Sequence, residues 1–179
     1  PRADRTYIDF TQGGLMESGN KLDVAFHGDG FFKVRLQEVD DDAPYNEKNY
    51  YYQRTGNFKL TDENYLVNSD GDYIMDTQNK RIRIARDLQS EDIEEMNRIE
   101  VNQDLVIGEN GQIQISSSGF QTMLQKIQVC DFHDKTKVST IGQGKFLPIY
   151  GEDAGLYTMT DGTFCLQQGM NEMSNANTI

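Results

Sequence analysis

A chain of 179 residues with 36% hydrophobic content suits one domain of ordinary size, or one domain with a small appendage, and is long enough to bury a core. Seventeen basic residues stand against 29 acidic ones, and the formal charge of -12 repels phosphate backbones and anionic membranes, which argues against nucleic acid as a partner. No apolar run reaches the ~20 residues that a bilayer crossing requires. The opening PRADRTYIDF lacks the charged-then-apolar plan of a secretory signal, so neither membrane insertion nor a cleaved signal peptide is expected. A first residue of proline rather than methionine suggests a trimmed chain.

In chain order the strand signals are short and many: KLDVAF, FFKVRL, NYYYQR, NFKLT, YLVNS, RIRIA, LVIG, QIQIS and QKIQVCDF cluster or alternate β-branched and aromatic residues. Between them HGDG, RTGN, TDEN, SDGD, GENG and TDGT supply glycine, asparagine and aspartate for turns. The fold class expected is mainly β, an antiparallel β domain over residues 10–165, with one short helix and the start of a C-terminal helix. The helix is expected over Gln89–Val101, where Ser90 is placed as an N-cap and Ile93, Met96 and Ile99 recur at i, i+3, i+6. The second is expected over 166–179, where Met170 and Met173 share a helical spacing. Residues 1–9 are taken as an N-terminal tail.

Several stretches invite a chemical reading and fail it. Gln37 to Asn49 packs five carboxylates around a proline and reads as a surface loop, because Asp40, Asp41 and Asp42 are consecutive and lack the spaced oxygens of a calcium loop. Asn68 to Tyr73 has its glycine, Gly71, out of the EF-hand position and Thr77 where the closing glutamate would fall, and reads as a hairpin turn. HGDGFF has no P-loop lysine, and Lys33 stands where a third glycine of a dinucleotide loop would fall. Arg81 and Arg83 alternate with Ile82 and Ile84 as on a solvated strand face. Cys130 and Cys165 lie in apolar, strand-like runs without metal-ligand spacing and read as buried free thiols, with a Cys130–Cys165 bridge as the alternative in an oxidising compartment, and His27 and His133 sit in no nucleophile motif. The chain is therefore read as no enzyme, with no catalytic residue, no cofactor and no metal.

Two blocks carry a family resemblance. Phe10 to Val34 resembles the flagellar basal-body rod and hook proteins, whose pattern F-x-Q-G followed by T/S-G-N-x-L-D-x-A-I-x-G-x-G-F-F-x-V is matched by Gln12, Gly13, Leu15, Gly19, Asn20, Leu22, Asp23, Ala25, Gly28, Gly30, Phe31, Phe32 and Val34. Phe26 replaces the usual isoleucine or valine, which preserves an apolar packing role. Tyr51 to Met75 resembles the family's second segment through Tyr52, Arg54, Gly56, Asn57, Phe58, Leu60, Leu66, Val67, Gly71 and Ile74, with Asn64 at a turn position commonly held by glycine. Weaker echoes are IGENGQIQI and QQGMNEMSNANTI, the latter similar to a Q-G-x-x-E-x-S-N segment that opens the family's C-terminal helix.

The resemblance implies a structural subunit of the bacterial flagellar basal-body rod, exported by the flagellar type III apparatus and stacked helically into the periplasmic drive shaft that transmits torque. Its implied partners are further copies of itself, neighbouring rod proteins, the hook protein and ring proteins. The family's terminal segments form α-helices in the tube wall around an outward β domain, and this chain is expected to begin after the first helix and end as the second starts. Gly28 and Gly30 are then expected to reverse the chain tightly between LDVAF and FFKV, placing Leu22, Val24 and Phe26 beside Phe32 and Val34. A hook protein fragment and a secreted calcium-dependent binding module are the alternatives.

Overall fold

The computed structural model describes residues 8–85, 101–117 and 119–174. Its first half contributes β1 (Leu15–Glu17), β2 (Val24–Phe26), β3 (Phe31–Arg35), β4 (Tyr50–Gln53), β5 (Lys59–Leu60), β6 (Leu66–Val67) and β7 (Tyr73–Ile74). After a single helical turn at Val101–Asp104 come β8 (Leu105–Ile107), β9 (Gln112–Ser117), β10 (Phe120–Lys126) and β11 (Val129–Phe132). The last strands are β12 (Val138–Thr140), β13 (Lys145–Pro148), β14 (Leu156–Thr158), β15 (Leu166–Gln168) and β16 (Met170–Glu172). Every pairing of these strands is antiparallel.

β3 is the hub of the largest sheet. It pairs along one edge with β4 and along the other with β11 and then β7, and the sheet continues outward through β13 and β12 on one side and β6 and β5 on the other. Side chains of successive strand residues point to opposite faces, so the aromatic doublets of this sheet serve two cores at once. Phe32, Val34 and Tyr51 enter a large core with Phe26, Ile74, Ile82, Ile84, Ile113, Ile115 and Leu166. Their neighbours Phe31 and Tyr52 enter a second core with Cys130, Phe132 and Val138. Phe31 meets Phe132 edge-on at 5.4 Å, whereas Phe32 meets Phe58 edge-on at 4.9 Å on the opposite face. Such pairs add about 1 kcal/mol each beyond burial.

The hairpin turns fall where glycine and asparagine stand. Asn64 has a φ of 66° and its side chain donates to the Ile84 carbonyl at 3.1 Å, so asparagine here supplies both the left-handed turn and a tie to the next strand. The turn between β6 and β7 is built by Asn68, whose Oδ1 accepts from the Asp70 and Asp72 amides, each at 3.0 Å. Beneath it the buried Asp72 carboxylate accepts from the Tyr51 hydroxyl at 2.5 Å and from the Gln37 amide at 3.0 Å. Burial, then the Asp72 hydrogen bond, push the Tyr51 phenol well above its usual range. Cys130 and Cys165 are free thiols, and burial pushes the Cys130 thiol up to about 11.

Three sequence expectations need correction. The Gly28–Gly30 turn does not join a hairpin: β2 pairs with β15, and Val24 donates to the Gly56 carbonyl at 2.9 Å, so the turn carries the chain from one sheet to another. The core placement of Val24, Phe26, Phe32 and Val34 follows nonetheless, with Leu22 packed against them. The C-terminal helix expected over 166–179 is, from 166 to 172, instead two strands, β15 and β16, because β2 and β1 present open edges whose hydrogen-bonding groups decide the local state of a polar, weakly patterned segment; residues 175–179 lie outside the described residues. Arg81 and Arg83 do alternate with buried Ile82 and Ile84, but they are half-buried rather than solvated, with the Arg81 guanidinium 3.9 Å from the centre of the Tyr65 ring. The helix expected over Gln89–Val101 lies outside the described residues except for Val101, the first residue of the helical turn.

Gly30 tests this packing. Its φ is 140°, and a Cβ there would lie 2.5 Å from the Phe26 ring and 2.9 Å from the Val129 side chain. Gly30→Val is expected to lower unfolding free energy by about 3 kcal/mol or more in urea titration. An unchanged urea midpoint would show that this close approach is not required.

A clasp joining both ends of the fold

Four of the residues singled out in the two sequence blocks, Gln12, Gly28, Gly30 and Arg54, meet at one seam. Gln12 precedes β1, Gly28 and Gly30 lie between β2 and β3, and Arg54 follows β4 directly. Arg54 Nε donates to Glu172 Oε1 at 2.9 Å, Nη1 to the Gly30 carbonyl at 3.1 Å and Nη2 to Gln12 Oε1 at 3.0 Å. Gln12 in turn accepts from the Gly28 amide at 2.7 Å and donates through Nε2 to Glu172 Oε2 at 2.5 Å. The Gly13 amide also donates to Glu172 Oε2, at 2.9 Å. Four separate stretches of chain are thus closed by one arginine, one glutamate and one glutamine.

The arginine–glutamate pair is 19% and 14% exposed, so most of its field is spared solvent screening. The guanidinium also lies 5.0 Å from the centre of the Phe26 ring, on the large core. Backbone geometry fits the same seam: a Cβ on Gly13 would sit 1.9 Å from the Met173 carbonyl oxygen, which no side chain tolerates. Leu15, Met16 and Glu17 then pair with Glu172, Asn171 and Met170, bringing the two ends of the described fold side by side.

A second seam runs beneath the clasp. Asn20 closes a turn by accepting from the Leu22 amide at 2.9 Å, and the Phe58 amide donates to the Leu22 carbonyl at 3.1 Å. Asn57 Nδ2 bridges Asp23 Oδ1 at 3.1 Å and Asn171 Oδ1 at 2.5 Å. Gly56 allows this approach, since a Cβ there would lie 2.0 Å from the Val24 carbonyl oxygen. Phe31, Phe32 and Phe58 stand behind the seams in the two cores rather than in them. Glu172 and Asn171 complete the site; the sequence held Glu172 only as the glutamate of its last weak echo and gave no sign of its partner.

Phe10 adds an apolar anchor ahead of β1, its ring 5.8 Å from Phe31 and 5.5 Å from Phe146. A crevice of about 120 Å³ beside it is lined by Phe10, Gly13, Gly30, Arg54 and Glu172 among others. Elsewhere, His133 stacks on Tyr157 with 4.1 Å between ring centres, and His27 is exposed. The arrangement does no bond-making chemistry: its carboxylate, amide and guanidinium are all spent on one another. It fastens both ends of the described fold to a double-cored sheet.

Those features define a structural β domain, and comparison with known proteins gives its family. Residues 25–143 match the family model described as the flagellar hook protein FlgE/F/G D1 domain, and the chain belongs to that family. It is 27% identical over 169 residues to the flagellar basal-body rod protein FlgG of Borreliella burgdorferi, covering 93% of this chain and 55% of that protein. It is 28% identical over 166 residues to the rod protein FlgG of Bacillus subtilis, covering 88% of this chain and 52% of that protein. The Agrobacterium fabrum rod protein FlgG is 28% identical over 138 residues, 76% of this chain and 42% of that protein. The chain thus spans about half the length of these relatives. The family is structural and non-enzymatic.

Removing either partner strands a half-buried charge, so Arg54→Ala and Glu172→Ala are each expected to cost about 2–3 kcal/mol in urea denaturation. The double variant is expected to cost clearly less than the sum of the two. Strict additivity would show that the pair does not act as one fastening.

Proposed function

We propose that this chain is a structural subunit of the bacterial flagellar basal-body rod, assembling helically with copies of itself and with neighbouring axial proteins into the periplasmic shaft that carries torque from motor to hook. The observation that carries this reading is the clasp: Arg54 fastens the strands at both ends of the described fold to the seam of a sheet with two cores. Segments continuing from β1 and β16 would leave the domain together, so load arriving through them reaches both cores by one short path. Resistance then depends on many hydrogen bonds and packed rings acting together rather than on a flexible joint.

The rod reading is preferred to a hook fragment because the relatives in Borreliella, Bacillus and Agrobacterium are all named basal-body rod protein. In this reading the 10–165 β domain faces outward and the family's terminal helices build the tube wall. Export through the flagellar type III apparatus and contacts with hook and ring proteins follow from the same reading.

Assembly is tested by joining to this chain, at both ends, the terminal segments of the Bacillus subtilis relative. Negative-stain microscopy and sedimentation are expected to show filaments or helical oligomers for the extended chain and none for the chain alone. An extended chain that stays monomeric at high concentration would count against a rod subunit.

A further inference from the structure

The clearest basic feature outside the clasp is a cleft beside β3. Arg35, on β3, and Arg81, next to β7 through its bridge to Met75, direct their guanidiniums at one carboxylate, that of Asp41. Arg35 Nη2 donates to Asp41 Oδ1 at 2.9 Å and Arg81 Nη2 to Asp41 Oδ2 at 2.5 Å. Arg35 is only 6% exposed, and its buried Nε has no hydrogen-bond partner among the described residues. An open cleft of about 260 Å³ adjoins the pair, lined by Arg35, Asp41, Tyr65, Asn79, Lys80 and Arg81. Stacking on Tyr65 and Tyr73 holds the Arg81 guanidinium in place. Two guanidiniums therefore face one carboxylate, with Lys80 lining the same cleft, on a chain whose net charge is -12.

The occupant comes from the acidic loop. Asp41 is half exposed, and residues 40–48 around it are exposed. The loop is held at a second point, where Tyr45 stacks on Tyr50 at 5.1 Å and its hydroxyl accepts from Lys33 Nζ at 3.1 Å. Its other carboxylates, Glu38, Asp40, Asp42 and Glu47, are exposed or nearly so and make no ion pair among the described residues. Burial pushes the Asp41 carboxyl up, and the hydrogen bonds and charges of Arg35 and Arg81 outweigh it, leaving the group below the usual carboxylate range.

We propose that the Arg35–Arg81 cleft is a carboxylate-binding slot which the chain's own Asp41 fills in an isolated subunit and which the acidic loop of a second copy fills in an assembly. This rests on the assembling role proposed above. The contact in trans repeats the contact in cis, so exchange creates no new chemistry and costs little, as in swaps of identical elements between protomers. A tethered loop competes at an effective concentration in the millimolar range, and a neighbour fixed in an assembly competes at a similar one. The spare carboxylates of the incoming loop then meet Lys80, which lines the same cleft. Electrostatic complementarity of this kind sets register between neighbours more than raw affinity.

Two variants separate the halves of the contact. Asp41→Asn keeps the slot and loses the plug, and Arg81→Gln keeps the plug and loses one of the slot's two guanidiniums, leaving only the Arg35 bond to Asp41 in cis. Mixed at low ionic strength, they can form one intact contact between chains, whereas neither variant alone can. Sedimentation equilibrium is expected to give an apparent dissociation constant about tenfold lower for the mixture than for either variant alone, a gain that rising salt removes. Circular dichroism on each variant checks that both are folded, and the uncharged Arg81→Met replaces Arg81→Gln if the tyrosine stack is disturbed. A mixture that sediments as the average of its components would restrict the slot to its own loop. If that result accompanied filaments from the terminally extended chain, the slot alone would be wrong and the rod reading would stand.

Discussion

Arg54 is the side chain on which the arrangement of the ends depends. Its three nitrogens each reach a different stretch of the chain, and of these only the Gly30 stretch leads into a strand, β3, that pairs with β4 just ahead of Arg54. A lysine has three donors on a single nitrogen, whereas the planar fork of an arginine spreads its donors over three nitrogens and so reaches a carboxylate, a backbone carbonyl and an amide oxygen set apart from one another. Gln12 is the complementary part: its amide has both an acceptor and a donor, so it can satisfy Arg54 and Gly28 on one side and Glu172 on the other. The glycines around them are small because backbone must pass where side chains would otherwise stand.

Behind the clasp, the sheet gains stiffness from how it spends its aromatics. Doublets such as Phe31–Phe32 and Tyr51–Tyr52 place one ring on each face, so displacing β3 or β4 disturbs two packed cores together. The polar groups sunk between the cores are paired: Asp72 with Tyr51, and Asn68 with Tyr51 and Gln53, each of the last two at 2.8 Å. A network satisfied this way fixes strand register as well as strand proximity. Force entering at Glu172 or Gln12 therefore meets a body without a soft layer between its entry point and its cores.

Much of the β character was legible from the sequence, because Ile82 with Ile84 and Ile113 with Ile115 alternate cleanly and glycine or asparagine closes the turns between strands. The glycines of the family blocks were legible as positions, and Gly13, Gly30 and Gly56 prove to be places of close approach. What escaped the sequence was partnership at long range. Arg54 and Glu172 lie 118 residues apart, and no local periodicity reports such a contact. The Gly28–Gly30 turn looked like a hairpin because both flanks read as strands, but turn chemistry cannot say which edge a strand will join. The segment from Leu166 to Glu172 fails as a helix for the same reason: its glutamines and methionines suit either state, and β1 and β2 select the strand. Arg81 looked solvated because alternation reveals a face but not the tyrosines that cover it.

The central claim is that the strands at the two ends are fastened to the core rather than frayed from it. Native-state hydrogen exchange reads this directly at the Ser18, Gly169 and Met173 amides, which donate to Gly169, Asp23 and Gly14 carbonyls at 2.8, 2.6 and 2.8 Å. The account predicts that these amides open only with the free energy of global unfolding, alongside those of β3 and β4. Exchange of β1 and β16 at little energetic cost, while β3 and β4 stay protected, would show that the clasp carries no load.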